Sequence, residues 1–123
     1  MNHLCWIHRY LLTDIYQFAG HFRREDIMKG NTRFLAHRDI RDKLSKLLGE
    51  LKTEDFLQGQ SFEDMVGRSA YYFSELNYIH PFREGNGRAT REFMRQLYEL
   101  NGYEVNWAAV SAEDVSGRQK SPF

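Results

Sequence analysis

The sequence predicts an all-α fold on three observations. Apolar residues recur at three- and four-residue steps in four separate stretches. Glycine or proline stands at the ends of three of them. No alternating run of strand length occurs outside one short candidate hairpin. The chain has 123 residues, a length that suits one compact domain over 1–123. With 41% hydrophobic and 15% aromatic residues it can build a core, which excludes global disorder.

Leu4, Ile7, Leu11, Ile15 and Phe18 define the buried face of a first helix, with Gly20 placed to stop it. Residues 21–37 lose that period. Within them, Gly30-Asn31 lies between Ile27-Met28 and Phe34-Leu35 and reads either as a hairpin tip or as a solvated loop. Ile40, Leu44, Leu47, Leu48 and Leu51 mark a second helix, followed by a polar link over 52–60. Ser61 with Asp64 resembles a capping box and opens a third helix. Its expected inner face is Phe62, Met65, Val66, Ser69, Ala70, Phe73 and Leu76. It must end near His80, because Pro81 disfavours helical geometry before it. A fourth helix is expected from about Arg88 to Asn101, with Ala89, Phe93, Leu97 and Leu100 inward and Gly102 as its stop. Ser111 and Asp114 suggest a last short helix before a polar end.

Seventeen basic and seventeen acidic side chains cancel to zero, which excludes a surface given over to nucleic acid or an anionic membrane. No apolar run exceeds four residues, so no segment is long enough to span a bilayer, and the N-terminus lacks a signal-peptide pattern. Cys5 is the one cysteine; it excludes an internal disulfide, fits a reducing cytosol and reads as a packed thiol.

The chemistry concentrates between the third and fourth helices, in His80-Pro81-Phe82-Arg83-Glu84-Gly85-Asn86-Gly87-Arg88. A helix start presents backbone N–H groups without partners, and Gly85 and Gly87 let the chain fold close around an anion. Arg88 and Arg91 add planar forks for phosphate oxygens. Glu84 would repel that anion unless a divalent cation lay between them, and magnesium commonly pairs one carboxylate with substrate phosphates. His80 supplies a base near neutral pH. Together these residues describe phosphoryl or nucleotidyl transfer. A dinucleotide fingerprint fails because Thr90 replaces the third glycine, and a Walker loop fails because no Gly-Lys pair exists. Zinc is disfavoured because no two histidines stand three or four apart.

This nine-residue string, with Arg91 three positions on, resembles the complete signature of the Fic (Fido) family. Residues 7–20 resemble that family's early helix, 29–34 its flap, and 101–107 the segment after the motif helix. The resemblance implies a Fic-fold helical bundle with a small β-hairpin flap. It implies transfer of AMP from ATP to a Tyr, Thr or Ser hydroxyl of a target protein, as a toxin or effector. By motif position, His80 would be the general base and Phe82 the core anchor of the loop. Glu84 would hold Mg2+, and Gly85, Asn86 and Gly87 would form an anion nest. Arg83, Arg88 and Arg91 would engage phosphates. Asn77, one turn before His80, fits either the nucleotide site or a plain helix surface. Lys29, Gly30, Asn31, Thr32, Arg33 and Phe34 would pair with an extended target segment. Gly87 matches the AMP-transferring pattern, whereas the related Doc branch has Lys there and transfers phosphate.

Two alternatives stand beside this reading: a nucleotide-holding interaction module, and a Fic enzyme with another transfer or an AMP-removing activity. Many Fic proteins restrain themselves with a Ser/Thr-x-x-x-Glu helix whose Glu pairs with the arginine here numbered 91. No Ser or Thr in this chain has Glu four residues later. The expectation is therefore a small antitoxin acting in trans, or a chain shortened at either end. The expected location is cytoplasmic, with delivery into another cell as an option.

Overall fold

The computed structural model describes residues 2–105 and 107. It shows α1 (His3–Leu12), a hairpin of β1 (Met28–Lys29) and β2 (Thr32–Arg33), then α2 (Ile40–Thr53), α3 (Phe62–Ile79) and α4 (Asn86–Leu100). Short 3-10 turns cover His37–Asp39 and Asp55–Leu57. Helix α1 lies along α4, α4 packs on α3, and α3 packs on α2. Leu4, Ile7, Leu44, Leu51, Leu76 and Met94 are buried where these helices meet. Cys5 is a packed thiol in the same core, and burial pushes its pKa up. The expected helix around Ser111 lies outside the described residues. No helix among the described residues is long and apolar enough to cross a membrane.

Capping chemistry explains where two helices begin. The Asn2 side chain accepts from the Cys5 N–H at 2.8 Å, and Ser61 Oγ accepts from the Asp64 N–H at 3.1 Å. The first helix is shorter than its apolar period suggests. It ends at Leu12, and Ile15 is 62% exposed. Gly20 is not a helix stop but a close backbone approach: at φ +84 its N–H reaches the His8 ring, and a Cβ there would lie 2.9 Å from Arg9 Cβ. Folding 13–20 back onto α1 satisfies the buried His8, a gain that continued helix could not supply.

Three further expectations shift. The inner face of α3 is carried by Met65, Ser69, Tyr72, Leu76 and Ile79, while Phe62 and Ala70 are exposed. Tyr72 escapes a purely apolar count because its ring is buried while its hydroxyl donates to Glu54. Helix α4 starts at Asn86, and Leu100 at its far end is exposed rather than inward. The polar link contains Leu57, which is fully buried. It gets there through a left-handed turn, with φ of 53, 55 and 65 at Asp55, Phe56 and Leu57. The Asn101 amide donates to the Phe56 carbonyl at 3.0 Å and holds that turn.

The 28–33 segment is a hairpin, not a loop. Met28 pairs with Arg33 and Lys29 with Thr32. Gly30 takes φ +60 at the tip, a conformation glycine adopts without steric cost. At its root the Phe34 N–H donates to Ile27 O at 3.2 Å, and the Leu35 N–H to Tyr78 O at 3.1 Å. The hairpin is thereby fastened to the C-terminal end of α3.

Candidate active site

His80 caps α3 in the left-handed conformation, φ 46 and ψ 61, with its N–H bonded to Leu76 O at 3.0 Å. This conformation is uncommon outside glycine and turns the chain sharply into the loop. Phe82, fully buried, anchors the loop in the core. Its backbone is closed in a ring by one side chain: Phe82 N–H donates to Asn86 Oδ1 at 2.9 Å, and Asn86 Nδ2 donates to Phe82 O at 2.6 Å. The Asn86 amide thus serves the loop itself, and only its backbone N–H faces any ligand role.

His8 braces the loop from α1. Gly20 N–H donates to His8 Nδ1 at 2.9 Å, so the proton sits on Nε2, which donates to Glu84 O at 2.8 Å. The imidazole also stacks on Phe82, ring centroids 3.7 Å apart. Burial lowers its pKa, favouring this neutral form. Gly85 takes φ +80, where a side chain is strained, and a Cβ there would press on the Leu12 methyl and approach the His8 ring. The first helical bond of α4 is Ala89 N–H to Gly85 O at 3.1 Å, so the N–H groups of Asn86, Gly87 and Arg88 precede the helical ladder. Arg91 folds back over Gly87, where an added Cβ would stand 3.0 Å from its Nη1.

A cleft of about 380 Å³ runs between this loop and the hairpin, lined by Met28, Lys29, Phe34, His80, Glu84 and Gly87 among others. Of the residues expected to act together, the structure brings to it His80, Arg83, Glu84, Gly85, Asn86, Gly87, Lys29 and Phe34. Gly30, Asn31, Thr32 and Arg33 are exposed along the hairpin beyond the cleft. Arg88 and Arg91 are exposed on the first two turns of α4, without an ion pair among the described residues. Arg83 lies 3.6 Å from Glu25, an exposed pair that a phosphate can displace. Asn77 is exposed on α3 and is not part of the cleft lining. A larger apolar groove of about 810 Å³, between α1, α2 and α4, contains none of these groups.

The His80 imidazole is half-buried and stacks on Phe34, centroids 3.8 Å apart and planes 7° from parallel. Desolvation lowers its pKa, as do the charges of Arg23 and Lys29, against an opposing pull from Glu84. It is therefore held as a neutral base near pH 7.

Sequence reasoning passed over His8, Arg23 and the bracing role of the Asn86 amide. His8 sits among apolar residues of a helix, and Arg23 lies in an aperiodic charged stretch. Neither pattern signals burial, because their hydrogen-bond partners, the Glu25 carbonyl aside, are backbone groups more than ten residues away.

This constellation places helix-start N–H groups, a histidine and a carboxylate in one cleft of a helical domain. Residues 1–98 match the Fic/DOC family, and the chain belongs to it. It is 41% identical over 113 residues to the probable protein adenylyltransferase Fic of Salmonella typhimurium, covering 92% of this chain and 56% of that protein. It is 37% identical over 116 residues to the protein adenylyltransferase VbhT of Bartonella schoenbuchensis, covering 94% of this chain and 24% of that one. The chain thus spans between a quarter and somewhat over half the length of these relatives. Among solved structures, the N-terminal Fic domain of a VirB-translocated effector from Bartonella sp. AR 15-3 superposes with a TM-score of 0.84 at 28% identity, over 89% of this chain and 56% of that one. The BepC protein of Bartonella tribocorum, with bound AMPPNP, gives 0.79 at 27%, over 94% and 60%. The fold is the Fic helical bundle with its hairpin.

Proposed function

We propose that this domain transfers AMP from ATP to a Tyr, Thr or Ser hydroxyl of a target protein. The observation that carries this reading is the cleft itself, which joins His80, Glu84, the opening N–H groups of α4 and the hairpin. The names of the relatives and the AMPPNP bound to one similar domain support it. Backbone N–H groups of Gly85, Asn86 and Gly87 bind phosphate oxygens, and Arg88, Arg91 and Arg83 neutralise the rest. His80 takes the proton of the target hydroxyl. The freed oxygen bonds to the α-phosphorus while the bond to the bridging oxygen breaks and pyrophosphate leaves. An extended target segment lies along the hairpin edge by strand addition, which holds its hydroxyl over His80.

Glu84 suits a magnesium ligand: its carboxylate is exposed in the cleft and carries no ion pair among the described residues. No group of three or more His, Cys, Asp or Glu assembles among those residues, so phosphate oxygens and water would complete the shell. Bound there, the ion would neutralise phosphate charge. The exposed Arg91 guanidinium is open to a carboxylate from a separate small inhibitor protein, which makes restraint in trans the regulatory reading. Similarity to VirB-translocated effectors supports delivery into another cell as its setting.

Label transfer in a lysate with magnesium tests the reaction. Label should pass to protein from the α-phosphate and not from the γ-phosphate, and His80→Ala should lower the rate by about 10²–10⁴-fold. Transfer from the γ-phosphate would mean another reaction. Nucleotide binding without transfer would mean an interaction module.

A further inference from the structure

Arg23 is 4% exposed and forms no ion pair among the described residues, although the charges of Asp26 and Glu25 favour its cation. Among the described residues its guanidinium donates to carbonyl oxygens: Nε to His80 at 2.7 Å, Nη1 to Glu25 at 2.8 Å, and Nη2 to Leu35 at 2.5 Å and Ile79 at 3.1 Å. Its own N–H donates to Pro81 O at 2.9 Å. Of the four carbonyls on the guanidinium, those of Ile79 and His80 close α3, and those of Glu25 and Leu35 flank the hairpin on either side. Burying a cation costs several kcal/mol unless its donors are satisfied, so the site is built around this fork. Lysine, with one nitrogen, cannot span the same four oxygens.

The hairpin reaches His80 at a second point. Phe34, immediately after β2, lies flat on the imidazole at 3.8 Å. One segment therefore holds both the main chain of His80, through Arg23, and its ring, through Phe34. By contrast, the Gly85–Arg91 region has braces of its own, Asn86 on Phe82 and His8 on Glu84, while the segment before the hairpin touches the signature loop ahead of it, at Pro81, Phe82 and Arg83.

We propose that Arg23 and Phe34 are positioning residues that set His80 from the root of the hairpin, so that the base and the target-docking strand are aligned by one element while the phosphate cradle is set by another. The inference rests on His80 being the base of the proposed transfer. It separates two functions that sit in one cleft: nucleotide binding depends on α1 and the signature loop, and alignment of the proton acceptor depends on the hairpin segment.

The test compares wild type, Arg23→Lys, Phe34→Leu and the double variant in three measurements. These are affinity for magnesium–ATP, the rate of label transfer from the α-phosphate in a lysate, and the rate at which diethyl pyrocarbonate modifies His80, read by peptide mass spectrometry. Each single variant should lose about tenfold or more in transfer while ATP affinity stays within about twofold, because a displaced reacting group costs rate rather than nucleotide binding. His80 should be modified several-fold faster in both. The double variant should fall little below the worse single one, since both act through the same side chain. Unchanged modification of His80 in folded variants would overturn the inference, as would ATP affinity falling in parallel with transfer. If Arg23→Lys does not fold, Phe34→Leu at the half-buried hairpin root decides the matter alone. Should wild type transfer no label, the proposed function fails, and the modification rates still answer whether the hairpin sets His80.

Discussion

Arg23 and Arg68 are both multiply bonded arginines, the first at the C-terminal end of α3 and the second in its N-terminal half. Arg23, buried, bonds to four backbone carbonyls around the cleft. Arg68, partly exposed on α3, bonds to the carboxylates of Glu54 at 2.8 Å and Glu50 at 3.1 Å and lies over the rings of Tyr71 and Tyr72. The same division extends to their neighbours. Near the cleft, His8 and Asn86 bond to main chain; away from it, Arg95 pairs with Glu92 and Glu99, and Tyr71 with Glu50. A side chain bonded to a carbonyl fixes where the chain runs. A side chain bonded to another side chain ties α3 to α2, as Tyr71 does with Glu50, or pairs along one helix, as Arg95 does on α4, and leaves the course of the chain alone. The cleft needs the first kind, because His80, a non-glycine residue, adopts a left-handed conformation that surrounding bonds must hold.

The largest effect that would break this contrast concerns Phe82. Removing its ring leaves a cavity beside His8 and Phe22, and Phe82→Ala should cost about 3–5 kcal/mol of stability by denaturant unfolding. A loss near zero would mean that the loop is held by its hydrogen bonds alone.

Acidification should separate the two ends. His8 titrates below its ordinary value of about 6.5 in the folded state, so the unfolded chain binds more protons as the pH falls. The stability tied to neutral His8 is complete above about pH 6.5 and is lost as the pH falls through the folded value. Protonation would also set a second N–H against the Gly20 N–H. His80 shifts in the same direction, so the control is His8→Gln, whose melting temperature should fall less between about pH 7 and pH 5.5 than that of wild type. Equal slopes would remove His8 from the account. At the other end the Arg68 hydrogen bond holds Glu54 below the usual carboxylate range, and that stability is present above about pH 4.5 and lost below it.

The smallest effect sharpens the comparison from the far side. Arg68→Ala should cost about 1 kcal/mol or less, as exposed ion pairs usually do, and should leave label transfer unchanged. A marked loss of transfer in that variant would show that the two ends are not separate.

Much of this was legible in the sequence because it depends on local order. Helical periodicity located four helices, Ser61 and Pro81 located two of their ends, and the string His80–Arg88 located the site. The α3 face was misread at Tyr72 because a hydroxyl paired with Glu54 makes a polar residue a core residue. The end of the first helix was misread because its period continues past Leu12, while the chain turns back to satisfy His8.

The zero net charge illustrates the same limit. It excludes a uniformly basic surface, yet four arginines against two glutamates fall in 83–95 and five acids against one lysine in 50–64. The sequence alone determined the helical class, the phosphate-binding string and the residue types available to it. Only the tertiary structure decided that Arg23 and His8 serve that string and that Phe34 lies on His80. Those contacts join residues 46 to 76 positions apart in the chain, and each partner is a carbonyl or a ring that carries no mark of the pairing.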